Sequence, residues 1–222
     1  MAYSQLAAKF LENRGVSVGR IFTGVQIMPN ECLVRGENPP RPAEFVGKTV
    51  ILYLGYLWKR KGVDYLIEAV KSIHDRRAVL LIAGSGPEEN RLRQLADGSD
   101  NIRFLGYADK SKKAWLYEIA DIFVLPTLHD AWGLVINEAM FYGLPVITTT
   151  AAGGSDIVSD NGIIVPAGNV NALRDALLLL IRDQTLRLRM GNRSRVMSGS
   201  LDLDVGVSAL YQAVDCVVSR GK

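Results

Sequence analysis

Residues 49–74 read TVILYLGYLWKRKGVDYLIEAVKSIH, and this stretch contains one whole unit of the pattern that decides the fold. Thr49–Leu54 is a continuous β-prone run rather than an alternating one, as expected of a strand covered on both faces within a parallel sheet. Val63, Leu66, Ile67, Val70 and Ile73 then recur at helical spacing, which predicts a helix over 62–74. Between strand and helix lies a loop bounded by Gly55 and Gly62 that carries Lys59, Arg60 and Lys61.

Working outward, similar runs recur at Val79–Ala83, Ile102–Leu105, Ile122–Leu125, Val146–Thr148 and Ile163–Val165. Helical patterns fall at 87–96, 111–120 and 134–142, and three more follow at 170–182, 184–196 and 203–219. Repeated β-α units predict a doubly wound α/β parallel sheet with right-handed crossovers and a set of C-terminal helices. The beginning of the chain is different. A helix at Ser4–Asn13 and a strand at Arg20–Ile27 precede the stretch ENPPRPAEFVG, where Pro39, Pro40 and Pro42 read as a linker. The expected organisation is the tail of one unit plus a linker over 1–47, a complete domain over 48–200, and a final helix over 201–222.

Composition excludes little else. The 222 residues are 48% hydrophobic and 22% charged, and the net charge of +3 argues neither for nor against nucleic acid. Cys32 and Cys216 stand in unrelated contexts with no metal-ligand spacing, so no metal is expected. The amphipathic, acid-containing N-terminus is not a signal peptide, and the apolar runs Ala78–Ala83 and Leu177–Ile181 are too short to span a bilayer. A soluble, cytoplasmic protein is expected.

In sheets of this kind ligands bind beyond the carboxyl ends of the strands, and three loops there carry candidate chemistry. In Gly55–Gly62, three cations at a helix entrance suit a phosphate, although by spacing alone a solvated charge cluster is slightly the better explanation. Gly84-Ser85-Gly86-Pro87 resembles the start of a dinucleotide fingerprint, but Glu89 stands where the third glycine belongs. It reads mainly as a strand-to-helix turn. In Pro126–Met140, Asp130 and Glu138 are eight positions apart around a helix start near Gly133. Carboxylates there would accept hydrogen bonds from sugar hydroxyls. Taken alone, the residues fit better an Asp130 that caps the helix and a Glu138 in solvent.

The ordered series GYLWKRKG, IAGSGPE, IRFLGY, LPTLHDAWGLVINEAMFYGLPVITT, AGGSDIV and NGIIVPAGN resembles the C-terminal domain of family 4 retaining glycosyltransferases. These enzymes have the GT-B architecture, two Rossmann-like domains facing a cleft. The similarity covers residues 18–196 and the final helix, and the EX7E-type block with its GLPV is the most specific part. The resemblance implies that Lys61 holds the donor diphosphate, Glu138 binds the nucleotide ribose and Asp130 contacts the donor sugar. Gly133, Leu134 and Val135 would turn backbone N–H groups toward the sugar and phosphates. Gly55, Arg60, Gly106, Tyr107, His129 and Trp132 complete the expected donor site. No cofactor is implied.

The sequence departs from the family pattern in three places. Tyr56 replaces the diphosphate-binding arginine, Asp130 is one methylene shorter than glutamate, and the linker keeps only Gly24-Val25 of its usual motif. The larger departure is length: the N-terminal, acceptor-binding domain is not within this sequence. The implied function is transfer from a UDP- or GDP-sugar to a glycan or lipid-linked acceptor, as in polysaccharide biosynthesis, with the isolated chain inactive. The alternative is a non-catalytic nucleotide-sugar-binding module, or a subunit that needs a separate acceptor-binding partner. No nucleic-acid partner is implied; dimerisation and peripheral membrane association stay open. Arg182, Arg187, Arg189, Arg193 and Arg195 could meet anionic lipid, but a solvated helix face is the commoner cause of such a run. Trp58 and Trp132 could flank the ligand, whereas Trp115 suits the core.

Overall fold

The structure is a computed structural model and describes residues 1–26, 41–201 and 203–220. Six parallel strands form one sheet: β1 (Thr49–Leu54), β2 (Ala78–Ala83), β3 (Ile102–Gly106), β4 (Ile122–Leu125), β5 (Val146–Thr149) and β6 (Gly162–Val165). Their spatial order is β3-β2-β1-β4-β5-β6. The chain therefore winds outward from β1 to β3, then crosses back to lay β4 against the other side of β1. That reversal opens a crevice between the carboxyl ends of β1 and β4, where doubly wound sheets bind ligands.

Every residue of β1, β2, β4 and β5 is buried, which accounts for the unbroken apolar runs. The helices are α1 (Gln5–Glu12), α2 (Val63–Lys71), α3 (Glu89–Leu95), α4 (Lys110–Ile119), α5 (Val135–Phe141), α6 (Val170–Arg182), α7 (Gln184–Gly199) and α8 (Leu203–Arg220). Val63, Leu66, Ile67 and Val70 of α2 face the core, as their spacing requires. Each such side chain contributes about 1.5–3 kcal/mol through its burial. Asn169 and Asp183 cap α6 and α7 by accepting backbone N–H groups, which sets these helix starts.

The strand expected at Arg20–Ile27 does not form over its described part. Val18–Arg20 is a short 3-10 turn, and Thr23 makes a single parallel bridge to Ala2. A strand needs a ladder of partners, and Ala2 supplies one rung. Ile27, Cys32, Pro39 and Pro40 lie outside the described residues, while Ala43–Phe45 forms a turn that buries Phe45. The N-terminal segment is nonetheless anchored near the crevice. Gln5 N donates to Asp156 at 2.7 Å, and the Asn137 amide donates to the Gln26 carbonyl at 3.1 Å.

Candidate functional site

The loops after β1 and β4 are drawn together by their backbones. Gly62 has φ 65°, and a Cβ there would lie 2.2 Å from the Pro126 carbonyl oxygen, so only glycine permits the approach. The Arg60 carbonyl accepts from Leu128 N at 2.8 Å and from the Thr127 hydroxyl at 2.9 Å, while the Arg60 guanidinium donates to the His129 carbonyl at 3.1 Å. The loop after β2 joins them: Leu57 N donates to the Ser85 carbonyl at 2.9 Å and Glu88 N to the Leu57 carbonyl at 3.0 Å. The Gly84–Gly86 turn thus packs against the β1 loop, in keeping with a strand-to-helix turn.

Together they line a cleft of about 380 Å³. Of the residues expected at the donor site, Gly55, Lys61, Tyr107, Asp130, Trp132, Gly133, Leu134 and Val135 line it. Arg60, Gly106, His129 and Glu138 stand outside that lining. Arg60 organises the loop, and Gly106 ends β3 with its carbonyl accepting from Gly84 N at 2.8 Å. His129 is exposed. Trp132 is 2% exposed, and its indole N–H donates to Asn137 at 2.9 Å, so it belongs to the core as well as to the cleft wall. Trp58 is exposed and Trp115 packs against the core.

The two acids do not sit as capping and solvated residues. The Lys61 ammonium donates to one oxygen of Asp130, both side chains being largely buried. Backbone bonds from Asp130 N to Ala151 O at 3.1 Å and from Gly153 N to Asp130 O at 2.9 Å fix the acid's position. Helix α5 instead begins at Leu134, which makes no side-chain capping bond. Ile136 N turns back to the Gly133 carbonyl at 2.8 Å, which leaves the N–H groups of Leu134 and Val135, both on the cleft wall, as the donors of this helix start. Gly133, with φ 92°, makes the preceding left-handed turn.

Glu138 is buried. Lys113 donates to its Oε1 at 2.7 Å and the Tyr117 hydroxyl to its Oε2 at 2.6 Å. Burial first, then the charge of Glu138 and the bond to it, push the Tyr117 hydroxyl well above its ordinary pKa. Tyr53 lies beneath the β1 loop and donates to the Tyr56 carbonyl at 2.8 Å. Its pKa is also raised, mainly by burial and then by the negative charge of Asp130, with Arg60 acting the other way. Sequence reasoning missed Lys113 and Tyr117. They are four apart, hence on one face of α4, and that spacing was the available signal.

The arginine run is divided. Arg187 donates to the carbonyls of Leu180 and Ile181, and Arg193 pairs with Asp160, so the five do not form a single free face. Among the described residues no helix is long and apolar enough to cross a membrane.

A six-stranded doubly wound sheet with a crevice at its switch point defines a Rossmann-like fold. Residues 34–197 match the family model of glycosyl transferases group 1, and the chain belongs to that family. It is 30% identical to a phosphatidyl-myo-inositol mannosyltransferase of Mycobacterium leprae over 227 aligned residues, covering all of this chain and 60% of that protein. A GDP-mannose-dependent monoacylated alpha-(1-6)-phosphatidylinositol monomannoside mannosyltransferase of Corynebacterium glutamicum is 36% identical over 147 residues, covering 61% of this chain and 39% of that one. In fold, the chain is similar to Alr3699/HepE of Anabaena solved with UDP, with a TM-score of 0.82 and 18% identity over 98% of this chain and 63% of that one. The chain spans between 37 and 60% of the length of eight curated relatives that it matches.

Proposed function

We propose that this chain is the donor-binding domain of a retaining glycosyltransferase and takes a nucleoside-diphosphate sugar in the crevice between β1 and β4. The observation that carries this reading is the convergence of Lys61 from one wall and the uncapped start of α5 from the other on a single cleft. A cation and a helix start facing one space suit a diphosphate. Asp130, fixed by its backbone, then accepts from sugar hydroxyls, Tyr107 and Gly106 stand beside the base, and Glu138 serves the ribose. A GDP-mannose-dependent relative and a structural neighbour solved with UDP support UDP- and GDP-sugars as the donors to try first.

Tyr56, 68% exposed on the cleft wall, leaves Lys61 as the only lysine or arginine among the described residues that line the cleft. Affinity is therefore modest, with a Kd of about 0.1–1 mM, or roughly 4–5.5 kcal/mol. Calorimetric titration of UDP, GDP and ADP tests this. A chain that binds none of them at millimolar concentration is not a nucleotide-sugar domain.

A second reading, a binding module or subunit whose acceptor site lies on other residues, is favoured by the same Tyr56. Holding acceptor and donor together contributes roughly 7–11 kcal/mol to such a reaction. In this account residues 1–47 belong with an acceptor domain, and the 222-residue chain alone transfers no sugar to a glycan or lipid-linked acceptor. Robust transfer from radiolabelled UDP- or GDP-sugar by the purified chain overturns the half-site account.

A further inference from the structure

Helix α4 presents two donors to one buried carboxylate. Lys113 Nζ lies 2.7 Å from Glu138 Oε1 and the Tyr117 hydroxyl 2.6 Å from Oε2, so each oxygen is held by a separate group. The Glu138 side chain is 8% exposed and that of Lys113 31%, which puts the carboxylate on the inside and the ammonium at the rim. The network sits where two cleft walls meet. Tyr107 and Ala108 line the cleft immediately before α4, and Leu134 and Val135 line it one turn before Glu138 on α5. A helical side chain leans toward the N-terminus of its helix, so Glu138 leans toward the Leu134–Val135 turn.

A carboxylate offers about four acceptor positions, and these two bonds fill one on each oxygen. The remaining pair, one per oxygen, matches two adjacent hydroxyl donors. Tyr117 is itself locked, fully buried and stacked on Tyr142 with ring centroids 5.1 Å apart. We infer that Lys113 and Tyr117 are positioning residues that hold Glu138 as a preformed receptor for the vicinal hydroxyls of the ribose. This rests on the donor-binding reading above and adds to it the two side chains that set recognition of the sugar of the nucleotide.

The test measures affinity for UDP and GDP and for their dideoxy forms lacking both ribose hydroxyls, by ligand-observed NMR, on the unaltered 222-residue chain and on variants. The unaltered chain prefers the hydroxylated nucleotide by about tenfold, the worth of a hydrogen bond to a charged group. Lys113→Met keeps the aliphatic stem and lowers that preference to about twofold, Lys113→Arg restores most of it, and Tyr117→Phe lowers it by an intermediate factor. A merely structural role lowers both affinities together and leaves their ratio intact; that result, or no change at all, overturns the inference. Should Lys113→Met fold poorly, the ratio for Tyr117→Phe decides in the same way. Equal binding of both forms by the unaltered chain sinks the hydroxyl receptor while the nucleotide reading stands, whereas no binding of UDP or GDP removes both.

Discussion

At the amino ends of β1 and β4, Arg41 directs its guanidinium to the carbonyls of Phe45 and Lys48 and to both oxygens of Asp121, which in turn accepts from Val50 N at 2.7 Å. Nearby, Arg187 closes the end of α6, and its burial lowers its pKa. At the carboxyl ends, Lys61 pairs with Asp130 and Lys113 with Glu138, each ammonium meeting a side-chain carboxylate beside an open cleft. One end of the sheet thus ties its cations into backbone carbonyls as well as into the Arg41–Asp121 ion pair. The other end pairs charge with charge, and each ammonium still has further donors to offer a ligand. What separates the two ends is that Arg41 and Arg187 also meet backbone carbonyls, whereas the bonds of Lys61 and Lys113 go to carboxylates beside the cleft.

The largest effect expected is on alkaline stability, and it belongs to the cleft end. Tyr53 and Tyr117 are both raised above their ordinary pKa near 10 by burial. The unfolded chain releases these protons near pH 10 while the folded chain keeps them, so the stability they contribute is complete below about pH 10 and is lost as pH rises. Each hydroxyl removes about 1.4 kcal/mol per pH unit above that point. Urea unfolding at several pH values from about 9 to 11 should show this slope, and Tyr53→Phe and Tyr117→Phe should each remove about half of it. Equal slopes in all three proteins would mean that these hydroxyls ionise in place.

Next in size is Arg41→Ala at the other end. Asp121 keeps Val50 N but loses the guanidinium, and two carbonyls lose their donor. With about a third of the pair exposed, the loss should be about 2 kcal/mol, below the range for a fully buried pair. A clear drop in melting temperature with unchanged affinity for UDP or GDP is expected. A changed affinity would break the division between the two ends.

Much of the fold was legible because burial on both faces writes itself into consecutive residues. All six strands begin and end within one residue of the runs read from the sequence, for instance β2 at Ala78–Ala83 against Val79–Ala83. What periodicity could not supply was the strand order, since each β-α unit looks alike whichever side of β1 it joins. Without that order, the β1 and β4 loops cannot be known to face one crevice. The residues at 20–27 are β-prone, but strand formation depends on a partner ladder that no local pattern reveals. The cleft residues came from the family resemblance, since glycine, cation and acid spacing alone favoured a solvated loop and a helix cap. The surroundings of the acids were not legible, because Lys61 lies 69 positions from Asp130 and Lys113 25 from Glu138. Eight-residue spacing gave two candidate carboxylates, and only tertiary packing shows both of them buried and paired.

The smallest effect expected comes from Asp130→Asn, and it sharpens the idea that cleft charges are held ready for a ligand. Asp130 pairs with Lys61, so a diphosphate must compete with it for that ammonium, and its negative charge opposes the phosphates. Asparagine retains an oxygen to accept from Trp132 N, which lies 3.4 Å from Asp130 Oδ1, and the backbone bonds to Ala151 and Gly153 are untouched. The loop should therefore keep its shape, while the Lys61 ammonium becomes free to meet the phosphates. Removing one opposing charge near a partly screened site is worth about 1 kcal/mol, so UDP or GDP should bind roughly three- to tenfold more tightly. The sugar-bearing nucleotide should gain less, because the amide is a weaker acceptor for sugar hydroxyls than the carboxylate. Parallel titrations of the nucleoside diphosphate and its sugar conjugate give both numbers. Weaker binding of the free diphosphate would show that Asp130 supports the phosphate site through Lys61 rather than competing for it, and the cleft pair would then be structural, like its counterpart at the opposite end of the sheet.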